Sequence, residues 1–160
     1  MSAPQLADDV ITLVPLARIL APRFQWLLEP DPDTAAYTFI PTHPDAAFLD
    51  RWLGRYEDGW HTGANAGFAA EANGEIGYVV APAGRGRGIA RRAVRLLTDW
   101  GLGELGLQRI ELRIDPRNAA SAAVAARCGY VHEGTLRNMP FKEGMRCDLG
   151  IWSRLPSDPV

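Results

Sequence analysis

The sequence has little cysteine, no long apolar run and almost no net charge, and each shortage removes a class of protein. Cys128 and Cys147 are its only cysteines. They form no CxxC or other metal-ligand spacing and are too few for a disulfide framework, so reduced thiols in a cytoplasmic protein fit best. The lone histidines His61 and His132 have no partners at a ligand spacing either, and no metal is expected. No apolar stretch reaches the length of a membrane span, and no basic segment with an apolar core opens the chain; membrane and secretion are therefore unsupported. A formal net charge of -2 and a pI of about 5.9 give no overall attraction for polyanions. That disfavours nucleic acid as a partner and requires any anion site to be built locally. There is no internal repeat and no low-complexity tail. What remains is 160 residues, 47% hydrophobic and 22% charged, enough for one compact domain over residues 1–160 with frayed ends at about 1–9 and 156–160.

Residues 10–16 are β-branched and apolar and predict a first strand. In 17–28 the apolar residues Ile19, Leu20, Phe24, Leu27 and Leu28 have helical spacing interrupted by Pro22, which predicts a faulted helix or two short ones. The Pro- and Asp-rich residues 29–44 read as a long loop. A second helix is predicted over 45–60, with Phe48, Leu49, Trp52, Leu53 and Tyr56 on one face. Asn73-Gly74 predicts a tight hairpin turn between two strand-like runs. Residues 89–101 predict an amphipathic helix closed by Gly101 or Gly103. In 109–114 Ile110, Leu112 and Ile114 alternate with Arg109, Glu111 and Arg113, the pattern of a strand with one polar face. An Ala-rich helix should run from an Asn118 cap to Gly129, followed by two strands over 130–137 and 146–155 joined by a loop at 138–144. The fold class is α+β (α/β mixed), with a mixed sheet flanked by helices.

The run PAGRGRGIARRAV at 82–94 admits several readings. A strand that ends in a glycine-rich turn and feeds a helix presents unpaired N–H groups beyond the helix N-terminus, where anions bind. Gly86 and Gly88 would let a phosphate approach the backbone, and Arg85, Arg87, Arg91 and Arg92 bring charge to the same place. The run lacks the Lys-Ser/Thr of a P-loop and the dinucleotide spacing GxGxxG. A plain flexible turn with solvated arginines explains the composition equally well. A disordered Arg-Gly tether is disfavoured, because the helix begins at once.

Three elements in order carry a resemblance: Val80, Pro82, Arg85, Gly88 and Ala90; then Asp-Pro-x-Asn-x-x-Ser from Asp115 to Ser121; then Gly-aromatic-x-x-Glu-Gly from Gly129 to Gly134. Over residues from about 75 to 155 the chain resembles the GCN5-related N-acetyltransferases (GNAT), and more narrowly the RimJ/RimL-like branch. The resemblance implies a twisted, mostly antiparallel sheet, and an acetyl-CoA-dependent N-acetyltransferase acting on a primary amine. That amine is a protein or peptide α-amino group or a small molecule. The resemblance also admits a homodimer, and an acyl-CoA-binding module with impaired catalysis stands as the alternative. It assigns the pyrophosphate to the backbone of Arg85, Gly86, Arg87, Gly88, Ile89, Ala90 and Arg91, the pantetheine arm to Val79 and Val80, and the thiol end to Asn118. The Val80 N–H would polarise the thioester carbonyl. Glu75 matches the acid of the Glu-Ile-Gly-Tyr strand and is the candidate base, acting through water; a strand-edge carboxylate is the competing role. Ala125 stands where many members carry a tyrosine acid, which leaves Ser121 near the sulfur, although a thiolate with a pKa of about 8.5 can leave unaided. Before Glu75 the chain reads as short by one strand or hairpin of the N-terminal half.

On the acceptor side, Trp26, Trp52 and Tyr56 could line a cleft between the N-terminal helices and the last hairpin, with a core role as the default for aromatics at helical spacing. Glu29, Asp31 and Asp33 could attract a cationic amine, against the simpler reading of a solvated loop. Met139, Pro140 and Phe141 in the final loop could rim the acceptor site.

Overall fold

The computed structural model describes residues 6–62 and 73–159. The chain opens with a small antiparallel hairpin, β1 (Leu6–Ala7) and β2 (Thr12–Leu13). Its turn is tied by the Asp8 carboxylate, which accepts from the Val10 and Ile11 amides at 2.8 Å. The strand expected over 10–16 is thus cut to two residues, because Pro15 cannot donate to a ladder.

Residues Arg18–Leu28 form a 3-10 helix around Pro22. In an α-helix the Pro22 ring would crowd the Arg18 carbonyl, and the tighter winding relieves that contact, while the missing Pro22 N–H leaves one bond of either helix unmade. The expected long loop at 29–44 contains a helix, α1 (Pro32–Tyr37). The residues that suggested a loop are the ones that start it: Pro32 occupies the first turn, and the Asp31 carboxylate caps the Thr34 amide at 3.0 Å. In α2 (Ala46–Thr62), Asp45 accepts from the Phe48 amide at 2.6 Å. Leu49 and Leu53 of this helix are buried with Leu27 and Ile40, and Phe24, Trp26, Trp52 and Val79 pack around them.

The main sheet has the order β3–β4–β6–β5, from β3 (Asn73–Glu75), β4 (Arg109–Ile114), β5 (Val131–Pro140) and β6 (Arg146–Arg154). β3 and β4 are parallel, joined through α3 (Ile89–Gly103), and the other pairs are antiparallel. Asn73 and Gly74 do not form the expected turn. They sit in β3 opposite Arg109 and Ile110, since the free edge of β4 offers a ladder that outweighs a local turn preference. The preceding strand-like run, and with it the expected shortfall of a strand or hairpin, falls largely outside the described residues.

The alternation of β4 places Ile110, Leu112 and Ile114 in a core with Val94 of α3 and with Ala125 of α4 (Ala119–Arg127). α3 lies close on β4 because Gly101 has no side chain; a Cβ there would come within 2.8 Å of Ile110 Cδ1. Tyr130 closes the core with a 2.6 Å hydrogen bond between its hydroxyl and Thr98 Oγ1. β5 runs further than expected and takes Met139 and Pro140 out of the final loop, leaving Phe141 in the turn. Irregular pairing between Leu136 and Met139 makes this possible, with Asp148 accepting from the Asn138 amide at 2.8 Å and Arg146 donating to the Asn138 carbonyl.

Candidate active site

β3 leaves its neighbour early. The last ladder bond runs from the Ile76 amide to the Glu111 carbonyl at 3.0 Å, and residues 77–81 continue without regular pairing. Ile76 and Tyr78 face the core beneath α3 and α4, whereas Val79 packs with the core of α2. The segment therefore divides two cores as it departs from the sheet. Among the described residues the amides of Val79 and Val80 have no backbone partner.

Pro82 then opens a one-turn 3-10 helix, Pro82–Gly84, closed by the Arg85 amide bonding the Pro82 carbonyl at 3.2 Å. Gly86 and Gly88 follow with φ of 72° and 75°, a left-handed backbone that suits glycine, and Gly88 is the N-cap of α3 without a side-chain cap. The first bond into that helix is from the Arg92 amide to the Gly88 carbonyl at 3.1 Å. Between these two bonds, the amides from Gly86 to Arg91 donate no well-aligned backbone hydrogen bond among the described residues, only the weak ones of the turn at residues 85–88. Both glycines have open space where a Cβ would stand. This is a row of donors at the positive end of a 15-residue helix.

The arginines divide by partner. Arg92 donates to Asp8 and Asp9 at 2.8 Å and ties α3 to the β1–β2 turn. Arg85 donates to Asp31, to Asp33 at 3.1 Å, to Thr34 Oγ1 at 3.3 Å and to the Val80 carbonyl at 3.1 Å. Arg87 and Arg91 are exposed, without an ion pair among the described residues. Arg85 thus differs from the rest of the expected cradle, since its amide and its guanidinium are both engaged inside the protein. Asp31 is correspondingly no open attractor for a cation. Its carboxylate is largely buried, and the Arg85 guanidinium holds it down at a pKa of about 2.

On the opposite wall, Asn118 Oδ1 accepts from the Ser121 amide at 3.0 Å and starts α4, which leaves its amide nitrogen without a partner among the described residues. Asp115 is buried and fixes the turn into that helix through Arg117, by bonds of 2.6 to 3.2 Å that hold its carboxyl below the usual range. The Tyr78 hydroxyl is buried without a hydrogen-bond partner among the described residues. Burial pushes this phenol up. The sequence marked Tyr78 only as a letter of a motif; its orphan hydroxyl depends on how the departing strand turns toward α4.

Glu75 is exposed at the end of β3, and its carboxylate lies 3.3 Å from Arg113 Nε. No described contact joins it to Ser121. Trp26 and Trp52 pack around the α2 core with Phe24, and Tyr56 lies edge-on to Trp52 at 5.5 Å. Trp26 also borders a shallow cavity with Glu29, Asp31, Thr34 and Ile40. Phe141 packs against Phe39 with the rings tilted by 55° and their centroids 4.8 Å apart; beside it the buried Lys142 ammonium donates to the Ile40 carbonyl, and Glu143 accepts from the Thr42 amide and hydroxyl at 3.1 and 2.8 Å. These contacts join the segment after α1 to the β5–β6 turn, across a sequence distance that no local pattern reveals. Among the described residues no cluster of His, Cys, Asp or Glu could hold a metal, and no helix is long and apolar enough to cross a membrane.

A model of the acetyltransferase (GNAT) domain matches residues 11–131, more than half of the chain. An uncharacterized N-acetyltransferase of Bacillus licheniformis, p20, is 35% identical over 81 residues, which cover 51% of this chain and 46% of that protein. The chain therefore spans about half the length of the curated relatives it matches. Among solved structures, the ribosomal-protein-S5-alanine acetyltransferase of Vibrio fischeri superposes with a TM-score of 0.78 at 21% identity, over 98% of both chains. A ribosomal L7/L12 α-N-protein acetyltransferase in complex with coenzyme A superposes with a TM-score of 0.81 at 16% identity, over 95% of this chain and 98% of that one. At such identities the likeness is one of fold.

Proposed function

The chain belongs to the GNAT acetyltransferase family, and on that premise we propose that it transfers an acetyl group from acetyl-CoA to a primary amine by direct attack. The observation that carries this reading is the row of amides from Gly86 to Arg91 that have no well-aligned backbone partner among the described residues. A diphosphate needs several converging donors and close backbone approach, which the two left-handed glycines permit. Exposed Arg87 and Arg91 add charge at the same mouth.

Acetyl-CoA supplies the activated acetyl group as a thioester. The amides of Val79 and Val80, without a backbone partner among the described residues, suit the pantetheine arm, and the Val80 N–H is the donor that would stabilise negative charge developing on the carbonyl oxygen. The resemblance assigns Asn118 and Ser121 to the thiol end, and the Asn118 amide nitrogen, without a partner among the described residues, is available to donate there. Glu75 takes the proton of the attacking amine through water, as its exposure allows. The solved structures of similar fold are named for ribosomal proteins and for the small amine spermidine, so the acceptor panel must include both peptide α-amino groups and small amines.

A second reading, an acyl-CoA-binding module with impaired catalysis, draws on the Glu75–Arg113 ion pair and on the absence of any described contact between Glu75 and Ser121. Incubating the protein with acetyl-CoA and a panel of amino-terminal peptides and small amines, while recording thiol release, separates the two. An amine-dependent thiol signal is expected. Tight acetyl-CoA binding with no turnover on any amine would leave the binding module.

A further inference from the structure

Arg85 begins the glycine-arginine run, yet its side chain turns away from the amides beyond it. Its Nε donates to the Val80 carbonyl at 3.1 Å, and its two terminal nitrogens reach Asp31, Asp33 and Thr34 at the start of α1. Asp31 is used twice: it caps the Thr34 amide and receives the guanidinium. The pair is sheltered, the Asp31 side chain being only 14% exposed. Facing two carboxylates, Arg85 brings little positive field to the loop, and swinging it toward a phosphate would strip a largely buried carboxylate of its partner.

The segment that Arg85 holds continues as a strap. From Asp31 it passes the turn before α4, where the Tyr37 hydroxyl meets the Arg117 carbonyl at 3.5 Å. It ends against the β5–β6 turn through Ile40–Lys142 and Thr42–Glu143. One strap therefore touches the loop before α3, the turn before α4 and the last hairpin, the elements that frame the proposed site. The Arg85 anchor joins the start of the strap to the Val80 carbonyl, and Val79 packs against the cluster that holds Ile40 of the strap.

We infer that Arg85 is a positioning residue for the amine acceptor, a strut that fixes the strap against the Val80 strand, and that its guanidinium is no ligand of the cofactor's pyrophosphate. The inference rests on the proposed acetyl transfer for its acceptor side alone. The geometry places the control of acceptor affinity on a residue that sequence motif alone would give to coenzyme A.

The test is a double-mutant cycle of Arg85→Ala and Asp31→Asn, the second keeping a capping oxygen at α1. Acetyl-CoA binding is measured by calorimetry without amine, and KM and kcat with the best amine of the panel. For both single variants and the double variant, acetyl-CoA affinity should stay within about twofold of wild type. The amine KM should rise about tenfold in each, with no further rise in the double variant and with kcat moved less. Arg85→Lys, which cannot form the same fork, should restore only part of the loss. If Arg85→Ala weakens acetyl-CoA binding tenfold or more while Asp31→Asn tightens it, Arg85 is a phosphate ligand and the inference is wrong. Should no amine turn over, the acetyl-transfer reading fails by itself, and hydrogen exchange still decides on the strut: Arg85→Ala must raise exchange over residues 31–38. Unchanged exchange there would overturn it.

Discussion

At the scale of single residues, the use of an arginine here is decided by what lies opposite it. Arg85 and Arg92 belong to one short run, yet one is bound to the start of α1 and the other to the β1–β2 turn. Glycine spacing and the placement of the run before a helix were readable in the sequence, because they are local. The partners of Arg85 were not, since Asp31 and Asp33 are more than fifty positions away and read as a solvated loop. The Arg85–Asp31 pair has a pH signature. Arg85 lowers the Asp31 carboxyl from its ordinary 3.8 to about 2. A carboxyl depressed in the folded state adds stability above its unfolded value, and this is lost as the pH falls through the folded one. Wild type should therefore lose stability relative to Asp31→Asn between about pH 4 and pH 2, as read by denaturant unfolding at a series of pH values. Parallel stability curves for the two proteins across that window would show that the pair contributes nothing.

At the scale of elements, the parts read correctly are those whose pattern is set by their own residues. β4 alternates strictly because its polar face carries Arg109, Glu111 and Arg113 while Ile110, Leu112 and Ile114 enter the core. α4 starts at Asn118 because the side chain supplies the cap. Elements read wrongly are those in which tertiary contact outvotes local preference. Asn73-Gly74 is drawn into β3 by the edge of β4, and α1 forms where proline and aspartate suggested a loop, supported by Arg85 as well as by its own cap. Gly101 lies between these cases: the sequence offered it or Gly103 as the helix stop, and α3 ends at Gly103 while Gly101 sits inside it in close approach to β4. Gly101→Val should cost about 1–3 kcal/mol of unfolding free energy by crowding Ile110 and Leu107, despite better helix propensity than glycine. A variant as stable as wild type in denaturant would mean that α3 can move off the sheet freely.

At the scale of the whole molecule, the candidate site is made by a strand that leaves its sheet. Up to Ile76 the chain is tied to β4; beyond it, Tyr78 follows the core of α3 and α4 while Val79 joins that of α2. The same departure leaves the amides of Val79 and Val80 without a backbone partner among the described residues and delivers the chain to the glycine loop, so the departing strand and the proposed anion cradle arise together. The motif order from Val80 to Gly134 was enough to indicate family and cofactor chemistry. The strap from Asp31 to the β5–β6 turn was invisible, because its three attachments join residues far apart in the chain. The central claim is that the backbone from Gly86 to Arg91 holds the diphosphate of acetyl-CoA, and calorimetric titration of wild type and Gly88→Glu with acetyl-CoA tests it most directly. Wild type should bind, and the variant, with a carboxylate and a strained left-handed backbone at the cradle, should show no measurable binding while remaining folded by circular dichroism. Equal affinity in the two proteins would contradict the account.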